Sequence, residues 1–227
     1  MGERGGSLPR AGRRDEMYRC EATSVEGFVQ QFAVAYVTHG YYHYVVGRVP
    51  DPKDPLAVDE KIIEKYGLGI SSRERSRRKK AGWASVQYIR YERFFVITAT
   101  EGRHRFKEEE GPALRDIRRR PLQFFGYSIG YCGGHVSVRI ARDEYKRQKA
   151  YFLELATRRR AEVLGEALNA LPYERYARVQ RQLLQILRAV NRKRTLAGFE
   201  PIPQPAIRLR RRIYRPFEVG QQARRAA

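Results

Sequence analysis

Cysteine is nearly absent: Cys20 and Cys132 are the only two in 227 residues. Two thiols cannot build a four-thiolate zinc site. Cys132 and His135 have the spacing of one ligand pair, but no second pair follows, so no metal site is expected. So low a count fits reduced thiols and a cytoplasmic protein. Long apolar runs are missing too. No stretch of about 18 apolar residues occurs, which excludes a hydrophobic spanning helix, and no membrane partner is expected. Histidine is scarce, with only His39, His43, His104 and His135. None forms the His-x-His pair that a metal-dependent rolling-circle nuclease carries on a strand.

Negative charge is the next shortage. Against 46 Lys+Arg stand only 25 Asp+Glu, a formal net charge of +21. Residues 1–70 are close to neutral, with 9 basic and 10 acidic side chains, whereas residues 71–150 carry 20 against 9 and residues 151–227 carry 17 against 6. Arg outnumbers Lys 37 to 9. A guanidinium can fork onto phosphate or guanine and can stack on a base. A field of this sign attracts polyanions, so RNA or DNA is the expected partner. With 42% hydrophobic and 11% aromatic residues the chain is too apolar to be wholly disordered.

Residues 1–17 are expected to be a flexible arm, 18–140 an α+β sheet domain, 141–217 a basic helical domain with an extended tail, and 218–227 a frayed end. Val25–Val37 reads as a strand or short helix. Tyr41–Val49 reads as a strand from its β-branched and aromatic content. Leu56–Tyr66 has helical spacing, with Asp54 or the prolines near it as a start and Gly67 as a stop. Ser71–Gly82 is a basic loop or the start of a helix. Trp83–Thr100 splits into two strands near Tyr91–Arg93. Lys107–Arg119 reads as a charged helix. Leu122–Gly130 and His135–Ile140 read as strands joined by a Gly133-Gly134 hairpin. The resulting order β-α-β-β-α-β plus one strand is that of the ferredoxin-like, or split βαβ, fold, with one face of an antiparallel sheet left free. Beyond it, helices are expected over Arg142–Arg160, Ala161–Leu171, with a bend near Gly165, and Tyr173–Leu196. A basic extended tail, Ile207–Phe217, follows.

Cations interleave with rings. Arg73, Arg75, Arg77, Arg78, Lys79 and Lys80 form one cluster, Arg118, Arg119 and Arg120 a second, and Arg208, Arg210, Arg211, Arg212 and Arg215 a third. Trp83, Tyr88, Tyr91, Phe94, Phe95, Phe124, Phe125, Tyr127 and Tyr131 lie between them. Single-stranded nucleic acid calls for this mixture, cations for phosphates and flat rings for bases. A fourth set is geometric. At about 100° per residue, Arg178, Arg181, Gln185, Arg188 and Arg192 fall on one quarter of the last helix, opposite Val179, Leu183, Ile186, Leu187 and Val190.

Catalysis has thinner support. His43 beside Tyr42 and Tyr44, His104 between Arg103 and Arg105, and Tyr151 on a basic helix are the candidates for a nuclease or a mobile-element replication or transposition protein. The first two would serve as general base or acid, the last as nucleophile. No cofactor is expected, Mg²⁺ or Mn²⁺ entering only with a nuclease. A structural subunit of a ribonucleoprotein is the third reading. Arg90-Tyr91-Glu92-Arg93-Phe94-Phe95-Val96-Ile97, followed by Phe124-Phe125-Gly126-Tyr127, weakly resembles the palm of intron-type reverse transcriptases. That family has an Asp-Asp pair where Arg93-Phe94 stand here, so the resemblance implies a palm without its catalytic carboxylates and carries over no residue.

Overall fold

A computed structural model describes residues 18–218; the expected arm at 1–17 and the end of the chain from 219 lie outside them. The fold is α+β, with two antiparallel sheets and seven α-helices among the described residues. The chain opens with helix α1 (Val25–Gln30), capped by the Ser24 hydroxyl. It continues through a π-helical turn (Gln31–Tyr36) and a 3₁₀ turn (Val37–His39) to Gly40, whose φ of 90° ends it. Strand β1 (His43–Arg48) follows, then α2 (Pro55–Tyr66), which starts on the Asp54 cap with Pro55 at its first position and stops at Gly67. The basic stretch forms α3 (Ser72–Lys80), capped by Ser71. Strands β2 (Val86–Tyr91) and β3 (Phe94–Ala99) are joined by the Glu92-Arg93 turn.

The stretch 107–119 is not one helix. Pro112 has no N–H to continue a helical ladder. The chain therefore makes only α4 (Arg105–Glu109), a 3₁₀ turn (Gly111–Ala113) and the two-residue strand β4 (Arg115–Asp116). Nor is Leu122–Gly130 one strand: Phe125-Gly126 turns it into the hairpin β5 (Leu122–Phe124) and β6 (Tyr127–Cys132), both turn residues having positive φ. Strand β7 (His135–Ile140) follows across Gly133-Gly134, with φ of 61° and 80°, values that favour glycine. The first sheet has strand order β2-β3-β1-β4 and the second β5-β6-β7.

The four-stranded sheet has no free face. Phe94–Ala99 is apolar at nearly every position, the pattern of a strand covered on both sides. Phe95, Ile97 and Ala99, with Val45, Val86 and Tyr88, pack against Tyr66 and Leu68 after α2 and Phe106 of α4. Val96, Tyr44 and Ile89 look the other way, into a cluster with Phe28, Phe32 and the second sheet. Phe28 stacks on Phe124 at 4.0 Å and meets Phe94 edge-on at 5.9 Å. At roughly 1.5–3 kcal/mol for each fully buried large side chain, rings in these layers hold the fold. They are not a platform for bases.

After residue 140 the chain is helical: α5 (Arg142–Leu155), α6 (Ala161–Asn169) and α7 (Ala177–Leu196). The break falls at 156–160. Gly165, where a bend was expected, lies inside α6 and packs on Ile202 and Ala206. Helix α7 begins four residues later than expected, because Pro172–Tyr176 is extended and buries Tyr173, Glu174, Arg175 and Tyr176. The central cluster includes Tyr173, Tyr176, Val179 and Leu183 together with both sheets, so buried packing continues across residue 140. The tail 207–218 is tied down. The Gln180 amide donates to the Leu209 carbonyl, the Tyr214 N–H donates to Gln30, and the Thr23 N–H donates to the Pro216 carbonyl.

Candidate nucleic-acid interface

The arginines divide by what faces them. Arg90, on β2, is 2% exposed and forks onto Asp59 of α2, at 2.9 and 2.8 Å, with Glu21 at 3.1 Å. The Tyr88 hydroxyl also donates to Asp59. Burial pushes the Tyr88 hydroxyl upward and, with Asp59 nearby, pushes the Cys20 thiol up to about 12. Arg175 and Arg194, both buried, spend their donors on main-chain carbonyls. Arg194 reaches those of Ala156, Arg159 and Glu200, closing the open end of α5 as a cation at a helix C-terminus does. Spacing places Arg194 on the apolar side of α7, in line with Leu183 and Val190, whereas no local pattern marks Arg90 and Arg175 as buried.

Of the second expected cluster, Arg118 is already satisfied. It forks onto Asp116, reaches Glu101 at 3.0 Å and lies over the Tyr42 ring at 4.8 Å. Arg118 in turn holds the Asp116 carboxyl below the usual carboxylate range. Arg119 and Arg120 are exposed, with no carboxylate on them among the described residues. In the third cluster Arg208 approaches the buried Glu174 at 3.6 Å, Arg211 lies over Tyr176, and Arg215 pairs with Glu218. Arg210 and Arg212 are exposed. On α3, Arg77 and Arg78 share Glu74 and Arg75 donates to the Ile70 carbonyl, while Arg73, Lys79 and Lys80 stand exposed without a carboxylate among the described residues.

Helix α7 differs from all of these. It contains no acidic residue. Val179, Leu183, Ile186, Leu187 and Val190 are buried, and Arg178, Arg181, Gln185, Arg188 and Arg192 are exposed, each set on the side its spacing predicts. Among the described residues no carboxylate pairs with any of the four arginines. Its neighbour α5 adds Arg142, Lys146 and Lys149, cations at i, i+4 and i+7 that the sequence reading passed over although their helical spacing was legible. Just beyond α5, Arg158, Arg159 and Arg160, with Glu162 and Glu200, border an open groove of about 390 Å³; among the described residues Arg158 alone of the three pairs with a carboxylate, Glu154.

Of the nine rings set between the cations, only Trp83 and Phe125 are exposed, at 52% and 54%. The three catalytic candidates are not brought together by any contact. His43 bonds Glu101 at 2.9 Å, inside a network in which Glu101, Asp116, Lys107 and Arg118 balance one another; the His43 bond is the main reason Glu101 is held below its usual range. His104 is the cap of α4, its Nδ1 accepting from the Phe106 N–H at 3.0 Å. Burial, aided by Arg78, holds its pKa below the ordinary imidazole value, which keeps the nitrogen an acceptor. Tyr151 is 53% exposed, with its ring edge-on to Phe152. Among the described residues no His, Cys, Asp and Glu group could hold a metal, and no helix is long and apolar enough to cross a membrane. Neither a protein-family model nor a curated protein matches the chain.

Proposed function

We propose that this protein binds nucleic acid, RNA or DNA, through the outward face of α7, supported by the unpaired cations of α3. The observation that carries this reading is the row Arg178, Arg181, Arg188 and Arg192, exposed on a helix without one carboxylate. A solvated surface helix ordinarily interleaves acids with its bases. A row left uncompensated favours an external polyanion, and phosphates meet that need without reading sequence. The frame beneath is a pared-down split βαβ unit, supported by strand order β2-β3-β1-β4, with its second helix and fourth strand cut to five and two residues, followed by a basic helical region. Fold alone selects no ligand.

Fluorescence anisotropy with labelled oligonucleotides, titrated between about 50 and 200 mM salt, tests the proposal: affinity should fall steeply as salt rises. Affinity indifferent to salt ends it. The same samples, incubated with and without Mg²⁺ or Mn²⁺, test the nuclease reading. Cleavage lost in His43→Ala, His104→Ala or Tyr151→Phe would make the protein an enzyme on nucleic acid; binding without turnover supports the present one. A defined RNA that copurifies would place it in a ribonucleoprotein.

A further inference from the structure

Helices α5 and α7 run in the same direction, side by side. The Tyr145 hydroxyl donates to Gln185 Oε1 at 3.1 Å, and Lys193 Nζ donates to the Leu153 carbonyl at 2.8 Å. Both contacts join residues 40 apart in sequence, so the helices keep register along their length. Beneath the contact line Phe152 packs in one cluster with Ile186, Leu187 and Val190.

Two parallel right-handed helices show mirror-related flanks across their seam. Viewed from their N-termini, residue positions advance clockwise by about 100° per residue on both. Clockwise from the seam, α7 turns into its buried side. On α5 the same sense leads outward. The outward flank of α7 holds Arg178, Arg181, Arg188 and Arg192; beside the seam on α5 lie the exposed Arg142 and Lys146 and the half-buried Lys149, with one exposed acid, Asp143, among them. The inward flank of α5 is independently marked: Glu144 there raises the pKa of the buried Tyr173, second to burial itself. The two cation sets therefore border one seam and do not point apart. No carboxylate pairs with any of the seven among the described residues. Among the described residues the one ring on the outward side of the seam is Tyr145, half-buried and tied to Gln185.

The dimensions select among nucleic acids. At about 1.5 Å rise per residue, the α7 row spans roughly 20 Å and the α5 row roughly 10 Å. Helices in contact have axes about 8–10 Å apart, and outward side chains widen the gap between rows. A duplex presents two phosphate strands, about 12 Å apart across its major groove and about 6 Å across its minor. A single strand presents one row, and proteins hold its bases on exposed rings, whereas Tyr145 here is half-buried and tied to Gln185. Resting on the nucleic-acid reading above, we infer that the α5–α7 seam takes a double-stranded nucleic acid without regard to sequence, one helix serving each phosphate strand.

The test uses the full chain with duplex DNA and duplex RNA of about 20 base pairs, two unrelated sequences of each, and the separate strands, in about 50–200 mM salt. At least one duplex type should bind about tenfold or more tighter than its strands, equally for both sequences, and the preferred type names the source. Arg181→Gln/Arg188→Gln and Lys146→Gln/Lys149→Gln should each weaken duplex binding by about tenfold and flatten its salt slope, with circular dichroism unchanged. Single strands binding as tightly as both duplexes, or an α5 variant that binds like wild type, overturns the duplex assignment and leaves the nucleic-acid reading standing. Absence of salt-dependent binding to every oligonucleotide overturns that reading itself.

Discussion

Arg118 beside the sheet and Arg181 on α7 are the same side chain in opposite circumstances. Arg118 has two carboxylates and a tyrosine ring around it; Arg181 has solvent. The contrast holds across the two regions. Around the four-stranded sheet several guanidiniums are matched by acids, as with Arg90 and Asp59, Arg93 and Asp51, and Arg118 with Asp116 and Glu101, although Arg119 and Arg120 have no such pair among the described residues. In the helical layer the buried ones, Arg175 and Arg194, are met mainly by carbonyls, and the exposed ones on α7 by nothing charged. Cations that hold a fold together and cations available to a ligand thus differ in partners and not in type. Net charge alone says little about binding until the paired ones are subtracted.

The contrast is breakable by substitution. The largest effect is expected at the sheet: Asp59→Ala strands Arg90 without its fork in a buried site and should cost about 3–5 kcal/mol in urea denaturation. Arg194→Ala and Arg192→Ala, two residues apart, come next and should separate cleanly. The first leaves carbonyls at the end of α5 unmet and should cost about 2–3 kcal/mol. The second should leave stability within about 0.5 kcal/mol and weaken nucleic-acid binding severalfold. Equal stability losses for the pair would erase the distinction between structural and available arginines. Smaller still, Arg118→Gln should shift stability by no more than about 1 kcal/mol and affinity by less than about twofold.

The smallest effect is one of pH. Glu101 and Asp116 are held below the usual carboxylate range by His43 and Arg118 respectively. A carboxyl depressed in the folded state contributes stability above its unfolded pKa of about 4 and loses it as pH falls through the folded value. Melting temperature should therefore drop below about pH 4 less steeply in Arg118→Gln than in wild type. A steeper drop in the variant would mean the network does not depend on Arg118.

Local grammar was legible wherever short-range physics governs. Asp54-Pro55 and Gly67 bound α2, Gly133-Gly134 makes the hairpin, and the turn at Glu92-Arg93 divides two strands as expected. The α7 faces followed from spacing alone. Misreadings arose where a distant partner decides. Leu122–Gly130 has strand composition throughout, yet it folds back at Phe125-Gly126 and both arms lie in the second sheet. The rings Phe94 and Phe124 suit a base platform in composition, yet both pack on the buried Phe28. Tyr173–Tyr176 continues a helical pattern, but Glu174 and Arg175 are drawn inward, Glu174 accepting from the Arg212 N–H and Arg175 donating to the Leu168 and Arg208 carbonyls.

Composition and periodicity thus settled the sign of the field, the absence of a long apolar span and the two-sided character of α7, because each is a property of residues near one another in the chain. Which arginines keep their charge unspent, which sheet faces are covered and that α5 lies parallel to α7 were decided only by folding. Those depend on pairings between residues tens of positions apart, where many alternatives share the same local pattern and only close packing distinguishes them.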